Sequence, residues 1–432
     1  MKISGFPEWL PEQKIVEDDV ISKIKKVYAS YGFAPIETPA VELTSTLTSK
    51  GVIDKEIYVL KRAKAADDST TDKEELALHF DLTVPFARYT AQHLNELTFP
   101  FKRYQLQKVW RGERPQKGRF REFYQFDIDI IARENLPLAA DAEIISAIHD
   151  ALTAAFPVKF LIRINNRKLL HGAYEALGIE EQYRPEVISI VDKLDKLQKD
   201  GIKKLLEDTK FLTAEQIDKI ISLTDQNGEQ VIELLKKEFQ SNKLLEEGLS
   251  EITELTLSLS HIHEKITVDL SLARGLDYYT GTVFEVVLPD YPAFGTISGG
   301  GRYENLAGQF TSQKLPGVGA SIGLTRLMDL VFKENLIPTN RKSLVQAFVT
   351  VLDKTQRPKC NKVARELRTN NINCEVSLSE PKLGKQIEYA ESKGAKFVFF
   401  VSDTGIEAKD LSTKQQTKVE NIKDWCDLNM VK

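Results

Sequence analysis

Apolar residues recur at helical spacing near the start of the chain, at Val20, Ile21, Ile24, Val27, Tyr28 and Tyr31, and Gly32 follows where a left-handed C-cap is wanted. The spacing predicts a helix ending there, with residues 33–39 running extended. Between 76 and 131 the pattern changes to strands and turns, and 104–110 and 120–131 read as the two arms of a hairpin. A helix is expected over 140–156, and strand signals return at 266–270 and 282–288. Residues 166–260 differ. They are rich in Leu, Ile, Lys, Glu and Asp at helical period, carry a capping box at Thr213 and Gln216, and read as a helical insertion. A polar hinge at 333–342, with Pro338, precedes strand 345–352, helix 361–369, strand 374–378, helix 385–393 and strand 397–401. Such alternation predicts a small separate α/β domain.

Composition narrows the class. The 432 residues are 42% hydrophobic and 28% charged, enough apolar material for cores and too much for disorder, and the length suggests two or three domains. The longest apolar runs, such as 397–401, fall far short of the roughly 18 residues of a membrane span. Glu8, Glu12, Glu17, Asp18 and Asp19 interrupt the N-terminal stretch where a signal peptide needs an apolar core, so a cytoplasmic protein with no membrane association is expected. Cys360, Cys374 and Cys426 are widely spaced and odd in number, which suits buried small hydrophobes rather than a disulfide framework or a metal knuckle.

The formal charge of -4 hides a local imbalance. From 102 to 121 the chain carries Lys102, Arg103, Lys108, Arg111, Arg114, Lys117, Arg119 and Arg121 against the single Glu113. The run is mostly Arg, is broken by Gly112, Pro115 and Gly118, and joins the two predicted strands, so it reads as a hairpin with an Arg-loaded loop. A planar guanidinium grips phosphate or carboxylate with two donors where Lys offers a point charge. Polyphosphate or nucleic acid is the implied ligand. No GxxxxGK[ST] loop is present, and Gly317-Val-Gly-Ala-Ser-Ile-Gly323 misses the dinucleotide fingerprint. His261, His263 and Glu264 have no further His or Cys at ligand spacing, so no metal site built from protein ligands alone is expected.

Four segments together resemble the histidyl-tRNA synthetases, class II aminoacyl-tRNA synthetases. They are His79-Phe-Asp81-Leu82-Thr83-Val-Pro-Phe-Ala-Arg88; Arg111-Gly-Glu113-Arg-Pro-Gln116-Lys-Gly-Arg119-Phe-Arg121-Glu-Phe123-Tyr-Gln125-Phe-Asp-Ile-Asp129; Leu272-Ala-Arg274-Gly-Leu-Asp-Tyr278-Tyr279; and Ser298-Gly-Gly-Gly-Arg302-Tyr303 with Gly317 through Arg326. The second is similar to class II motif 2, the last to motif 3, and the stretch ending at Pro39 to motif 1. The resemblance implies an α+β fold: a class II catalytic core, an antiparallel sheet flanked by helices, over residues 1–330 with the helical insertion at about 166–260. A linker at 331–342 and an α/β anticodon-binding domain at 343–432 would follow.

The same resemblance implies ATP-dependent ligation of L-histidine to tRNA(His) through a histidyl-adenylate, with Mg2+, in a homodimer built across motif 1. It places Arg111 at the α-phosphate and substrate carboxylate with Arg274 opposite, and Arg119 and Arg121 toward the outer phosphates or the tRNA end. Phe123 and Arg326 would sandwich adenine, Glu113 would face its edge, and Gln116 would meet the tRNA acceptor end. Asp81, Thr83 and Gln125 are implied for the histidine ammonium, with Leu82 inside that tripeptide, and Asp129 and Tyr279 for the imidazole, with Tyr278 and Tyr303 nearby. On a strand, Gln125 and Asp129 share a face, which supports one pocket. The triple glycine before Arg302 is expected either to admit a ligand close to the backbone or to form a tight turn. A second reading is a non-catalytic, histidine-sensing paralogue serving as regulatory subunit of ATP phosphoribosyltransferase. Such paralogues generally lack the anticodon-binding domain and degrade the arginine-containing signature.

Overall fold

The computed structural model describes residues 3–48, 56–61, 75–115, 118–272 and 279–429. The chain divides into two compact units, Met1–Pro7 with Ile21–Leu336 and Glu8–Val20 with Ile337–Lys432. Among the described residues the larger unit carries ten strands: β1 (Ala34–Pro35), β2 (Val41–Leu43), β3 (Leu76–Leu78), β4 (Phe101–Trp110), β5 (Glu122–Ile131), β6 (Leu161–Asn166), β7 (Ile266–Val268), β8 (Tyr279–Val287), β9 (Ser298–Tyr303) and β10 (Gly317–Gly323). β2 and β3 pair by themselves, and the other eight form one sheet in the order β1-β4-β5-β10-β9-β8-β6-β7. The pairing is antiparallel except at the two edges, where β1 runs parallel to β4 and β7 to β6.

Most helices lie on one face of this sheet, while Phe86 of the helix Thr83–Gln92 packs on the other face with Arg103, Phe101, Ile131 and Tyr303. α1 (Pro11–Ser30) ends as its spacing predicts, with Gly32 at φ +79°, and a short α2 (Thr44–Thr48) and α3 (Thr83–Gln92) follow. α4 (Ala139–Ala155) packs along β5, β9 and β10. The insertion is helical, comprising α5 (Arg167–Ala176), α6 (Arg184–Val191), α7 (Leu194–Asp208), α8 (Ala214–Thr224), α9 (Glu229–Glu238) and α10 (Lys243–Ser258). Both halves of the Thr213–Gln216 capping box form. α11 (Leu324–Lys333) returns against β5 and ends the larger unit. From Gln125 onward every residue of β5 is buried, because Phe126, Ile128 and Ile130 meet the helical layer while Gln125, Asp127 and Asp129 turn to the other face.

The smaller unit holds β11 (Ala347–Val349), β12 (Cys374–Val376), β13 (Phe397–Ser402), β14 (Gly405–Asp410) and β15 (Gln416–Val419) in the order β12-β11-β13-β14-β15. With them go α12 (Arg357–Thr369), α13 (Leu383–Ser392) and α14 (Ile422–Asn429). The first three strands are parallel, as the alternation predicts. β14, β15 and α14 were not legible in the hydrophobic pattern; both strands are largely polar, and β15 forms the sheet edge. The ring centroids of Phe397 and Phe399 each lie 4.8 Å from that of Trp425 in the core of this unit. Cys360 and Cys426 are buried as expected, but Cys374 is half-buried. Among the described residues no helix is long and apolar enough to cross a membrane.

Candidate active site

The open face of the sheet is polar because its strands are in register. β4 sets Arg103 opposite Asp129, Gln105 opposite Asp127 and Gln107 opposite Gln125. On the other side β10 sets Gly319, Ser321 and Gly323 opposite the same three β5 residues. Directly paired residues share a face, so one row of acids and amides is flanked by cations and amides on one side and by small residues on the other. The small residues make the hollow. A Cβ on Gly319 would stand 1.9 Å from Asp129 Oδ1, and one on Gly300 would stand 1.9 Å from the Gly319 carbonyl. Only glycine fits at either position. The triple glycine is therefore strand rather than tight turn. Gly300 is required by its neighbouring strand, while Gly299 lines the cavity.

An inner cavity is lined by Asp81, Thr83, Arg111, Gln125, Asp127, Asp129, Tyr279, Tyr303, Ser321 and the backbone of Gly299, Gly319 and Ala320. Asp129 Oδ2 meets Arg103 at 2.6 Å, and Oδ1 accepts from the Tyr303 hydroxyl at 3.1 Å. Gln125 Nε2 donates to Ser321 Oγ at 2.8 Å. Asp127 Oδ1 and Gln125 Oε1 are buried with no hydrogen-bond partner among the described residues. Burial pushes the Asp127 carboxyl up to about 6 and that of Asp129 to about 7, with Arg103 opposing both shifts. Asp81 Oδ1 accepts from the backbone N–H of Thr83 and Val84, each at 3.1 Å, and so caps α3.

An outer cavity joins the inner one along Arg111, Gln125, Gly299 and Ser321. Its remaining wall includes Glu113, Gly118, Arg119, Phe123, Thr296 and Arg326. The Arg111 guanidinium lies 4.3 Å from the Phe80 ring centroid and 5.1 Å from that of Phe123, and its Nε donates to the Phe80 carbonyl at 3.3 Å. Burial lowers its pKa from the ordinary arginine value, opposed by Asp81 and Glu113. Arg326 clasps the opposite wall, with Nε donating to the Gly118 carbonyl at 2.8 Å and Nη1 to that of Thr296. Arg119 pairs loosely with Glu113 at 3.4 Å. A cation thus stands where two cavities meet, one lined by acids and one by arginines and an aromatic ring.

The family profile described as histidyl-tRNA synthetase matches residues 5–327, and one described as anticodon binding domain matches residues 346–423. The chain belongs to the histidyl-tRNA synthetase family. The histidine–tRNA ligase of Thermobifida fusca (strain YX) is 45% identical over 97% of this chain and 96% of its own length. That of Stenotrophomonas maltophilia (strain K279a) is 41% identical over 96% and 94%. The crystal structure of histidyl-tRNA synthetase from Nostoc sp. PCC 7120 superposes with a TM-score of 0.86 at 38% identity, covering 97% of this chain and 96% of that one. The fold is accordingly the class II synthetase fold.

Within this family frame, the structure brings Asp81, Thr83, Arg111, Gln125, Asp129, Tyr279 and Tyr303 around the inner cavity, and Arg111, Glu113, Arg119, Phe123 and Arg326 around the outer one. Arg121 lines neither; its Nε donates to the Glu113 carbonyl at 3.1 Å and braces the loop. Leu82 turns its side chain into the core and does not line the cavity. Gln116, Arg274 and Tyr278 lie outside the described residues. Sequence reasoning missed Asp127, Ser321 and Arg103. The period of two along β5 carried a signal for Asp127, which falls between Gln125 and Asp129 on one face. For Ser321 and Arg103 there was none, because cross-strand register is not written in a single strand.

Proposed function

We propose that this chain activates L-histidine with ATP and passes the histidyl group to tRNA(His). The observation that carries the reading is Arg111 on the wall common to both cavities. Histidine in the inner cavity would present its ammonium to Asp81, Thr83, Gln125 and Asp127, and its imidazole to Asp129, Tyr279 and Tyr303. A ring with one N–H and one acceptor nitrogen matches a carboxylate beside tyrosine hydroxyls. ATP in the outer cavity would stack adenine between Phe123 and Arg326 and extend its phosphates toward Arg119. The histidine carboxylate then meets the α-phosphate at Arg111. One carboxylate oxygen bonds to phosphorus, the bond to the β-phosphate breaks, and pyrophosphate leaves with the electron pair. Arg111, with Arg274 proposed opposite it, stabilises the charge that accumulates in that transition state. In the second step a hydroxyl of the tRNA's terminal ribose attacks the histidyl carbonyl and AMP departs.

Among the described residues no cluster of three metal-binding side chains occurs. Mg2+ is commonly bound through one or two carboxylates and substrate phosphates, and Glu113 on the outer wall suits that arrangement. When bound it would neutralise phosphate charge. Gln116 is proposed for the acceptor end, the C-terminal unit for the anticodon, the cytoplasm as location and a homodimer across the helix-to-Pro39 stretch as assembly. The histidine-sensing alternative is favoured less, because the anticodon-binding profile matches and the relatives at 41% and 45% identity are named as ligases. The test is exchange of labelled pyrophosphate into ATP with each of the twenty amino acids. Exchange with histidine alone is expected; histidine binding without exchange would replace the ligase with a sensor.

A further inference from the structure

Arg103 lines neither cavity, yet it is among the largest wholly buried side chains of the molecule. Burying a guanidinium costs several kcal/mol unless its partners are well placed, so its surroundings report what it is for. Nη2 lies 2.6 Å from Asp129 Oδ2, Nη1 donates to Gln105 Oε1 at 3.2 Å, and the guanidinium carbon sits 4.1 Å from the Phe86 ring centroid. Gln105 is held in turn by Thr38, whose hydroxyl accepts from its Nε2 at 2.9 Å. The guanidinium is thus held by an ion contact with Asp129, one hydrogen bond to Gln105 and packing against a ring, while its Nε is buried with no hydrogen-bond partner among the described residues. It approaches Asp129 from the neighbouring strand β4 and meets Oδ2, while Oδ1 accepts from the Tyr303 hydroxyl.

We infer that Arg103 is a positioning residue for histidine recognition: it orients the Asp129 carboxylate and offsets the cost of its charge, so that Oδ1 accepts the imidazole N–H. The inference rests on the reading of the inner cavity given above. The charges facing Asp129 explain why such a cation is needed. Asp127 on β5 and Asp81 at the start of α3 both oppose its ionisation, Tyr303 on β9 contributes a hydroxyl, and Gly319 on β10 contributes no side chain. Arg111 lies on the ligand side of the same cavity. Arg103 is therefore the cation that acts on Asp129 from within the sheet. Lysine could not replace it fully, because a point charge lacks the second fixed donor for Gln105 and the plane that lies on Phe86.

The test is calorimetric binding of histidine to the full chain between pH 6.5 and 8.5, comparing Arg103→Leu with wild type so that the substrate's own titration cancels. Loss of the cation should move the Asp129 transition up by at least about one pH unit. With the wild-type transition near 7, affinity then falls about fivefold at pH 7, and the deficit shrinks as pH rises. KM for ATP should stay within about twofold. Asp129→Asn added to Arg103→Leu removes the titrating group and should abolish the pH dependence of the deficit. A deficit of constant size across the range, or an equal rise in KM for ATP, overturns the inference. If Arg103→Leu does not fold by thermal melting, Arg103→Lys is measured in the same way; a smaller shift of the same sign supports the inference and a flat deficit overturns it. Absence of histidine binding by the wild-type chain would overturn the reading of the cavity itself, which separates the two failures.

Discussion

Gly319→Ala tests the site most directly, because one methyl group would be placed against one carboxylate. The added Cβ would stand 1.9 Å from Asp129 Oδ1, 2.6 Å from its Cγ and 3.1 Å from the Ile128 carbonyl. Ordinary carbon–oxygen contacts begin near 3.3 Å, so the carboxylate must retreat by about 1.4 Å. It has no easy retreat. Oδ2 is held by Arg103 at 2.6 Å and Oδ1 by Tyr303 at 3.1 Å, and both partners are buried. The strain therefore appears as overpacking of about 1–3 kcal/mol and as displacement of the acceptor assigned to the imidazole. A misplacement on the order of 1 Å costs about 100-fold in rate, so kcat/KM for histidine in pyrophosphate exchange should fall by about that factor. KM for ATP should change by less than about twofold, since the outer cavity does not include Gly319. Gly384→Ala, at an exposed helical position with nothing within 4 Å of the added carbon, is the control and should leave both constants and the melting temperature nearly unchanged. A folded Gly319→Ala enzyme with wild-type kcat/KM for histidine would refute the placement of Asp129 at the substrate.

Three further outcomes are expected. Asp127 and Asp129 hold their protons to about pH 6 and 7, above the unfolded carboxylate value, so the stability they contribute is full at acid pH and is lost as pH rises through those values. Asp127→Asn should accordingly raise the melting temperature relative to wild type at pH 8 but not at pH 4, while weakening histidine binding about tenfold at pH 8; a binding constant unchanged at pH 8 would exclude Asp127 from the ammonium site. Arg326→Ala frees the Gly118 and Thr296 carbonyls from their clasp and should raise KM for ATP about tenfold in exchange assays with little effect on that for histidine; equal effects on both would count against its place beside adenine. Arg274→Ala should lower adenylate formation by about a thousandfold, as loss of a transition-state donor does, with the oligomeric state by light scattering unaltered; near-normal turnover would remove the role proposed for it.

Much of this was legible along the chain because it is local. The helical spacing ending at Gly32, the capping box at Thr213 and the alternation of 120–131 each depend on neighbours within a few residues, and each formed as expected. The arginine-rich hairpin was legible for the same reason: charge, glycines and flanking strands lie within one contiguous stretch. Less legible were β14 and β15, whose largely polar residues alternate weakly, β15 lying at the sheet edge.

The sequence by itself determined which groups are present and which face of its strand each can occupy. It did not determine which residues of other strands stand beside them. Asp129 meets Arg103, Tyr303 and Gly319 because β4, β9 and β10 lie in one particular order and register around β5, set by packing of the whole sheet against α4 and α11. An acid at that position would read as an ordinary ion-pair partner in isolation. Contacts with Arg103 and Tyr303 orient it, and burial raises its pKa against the pull of that arginine; both contacts and burial are properties of the tertiary structure alone.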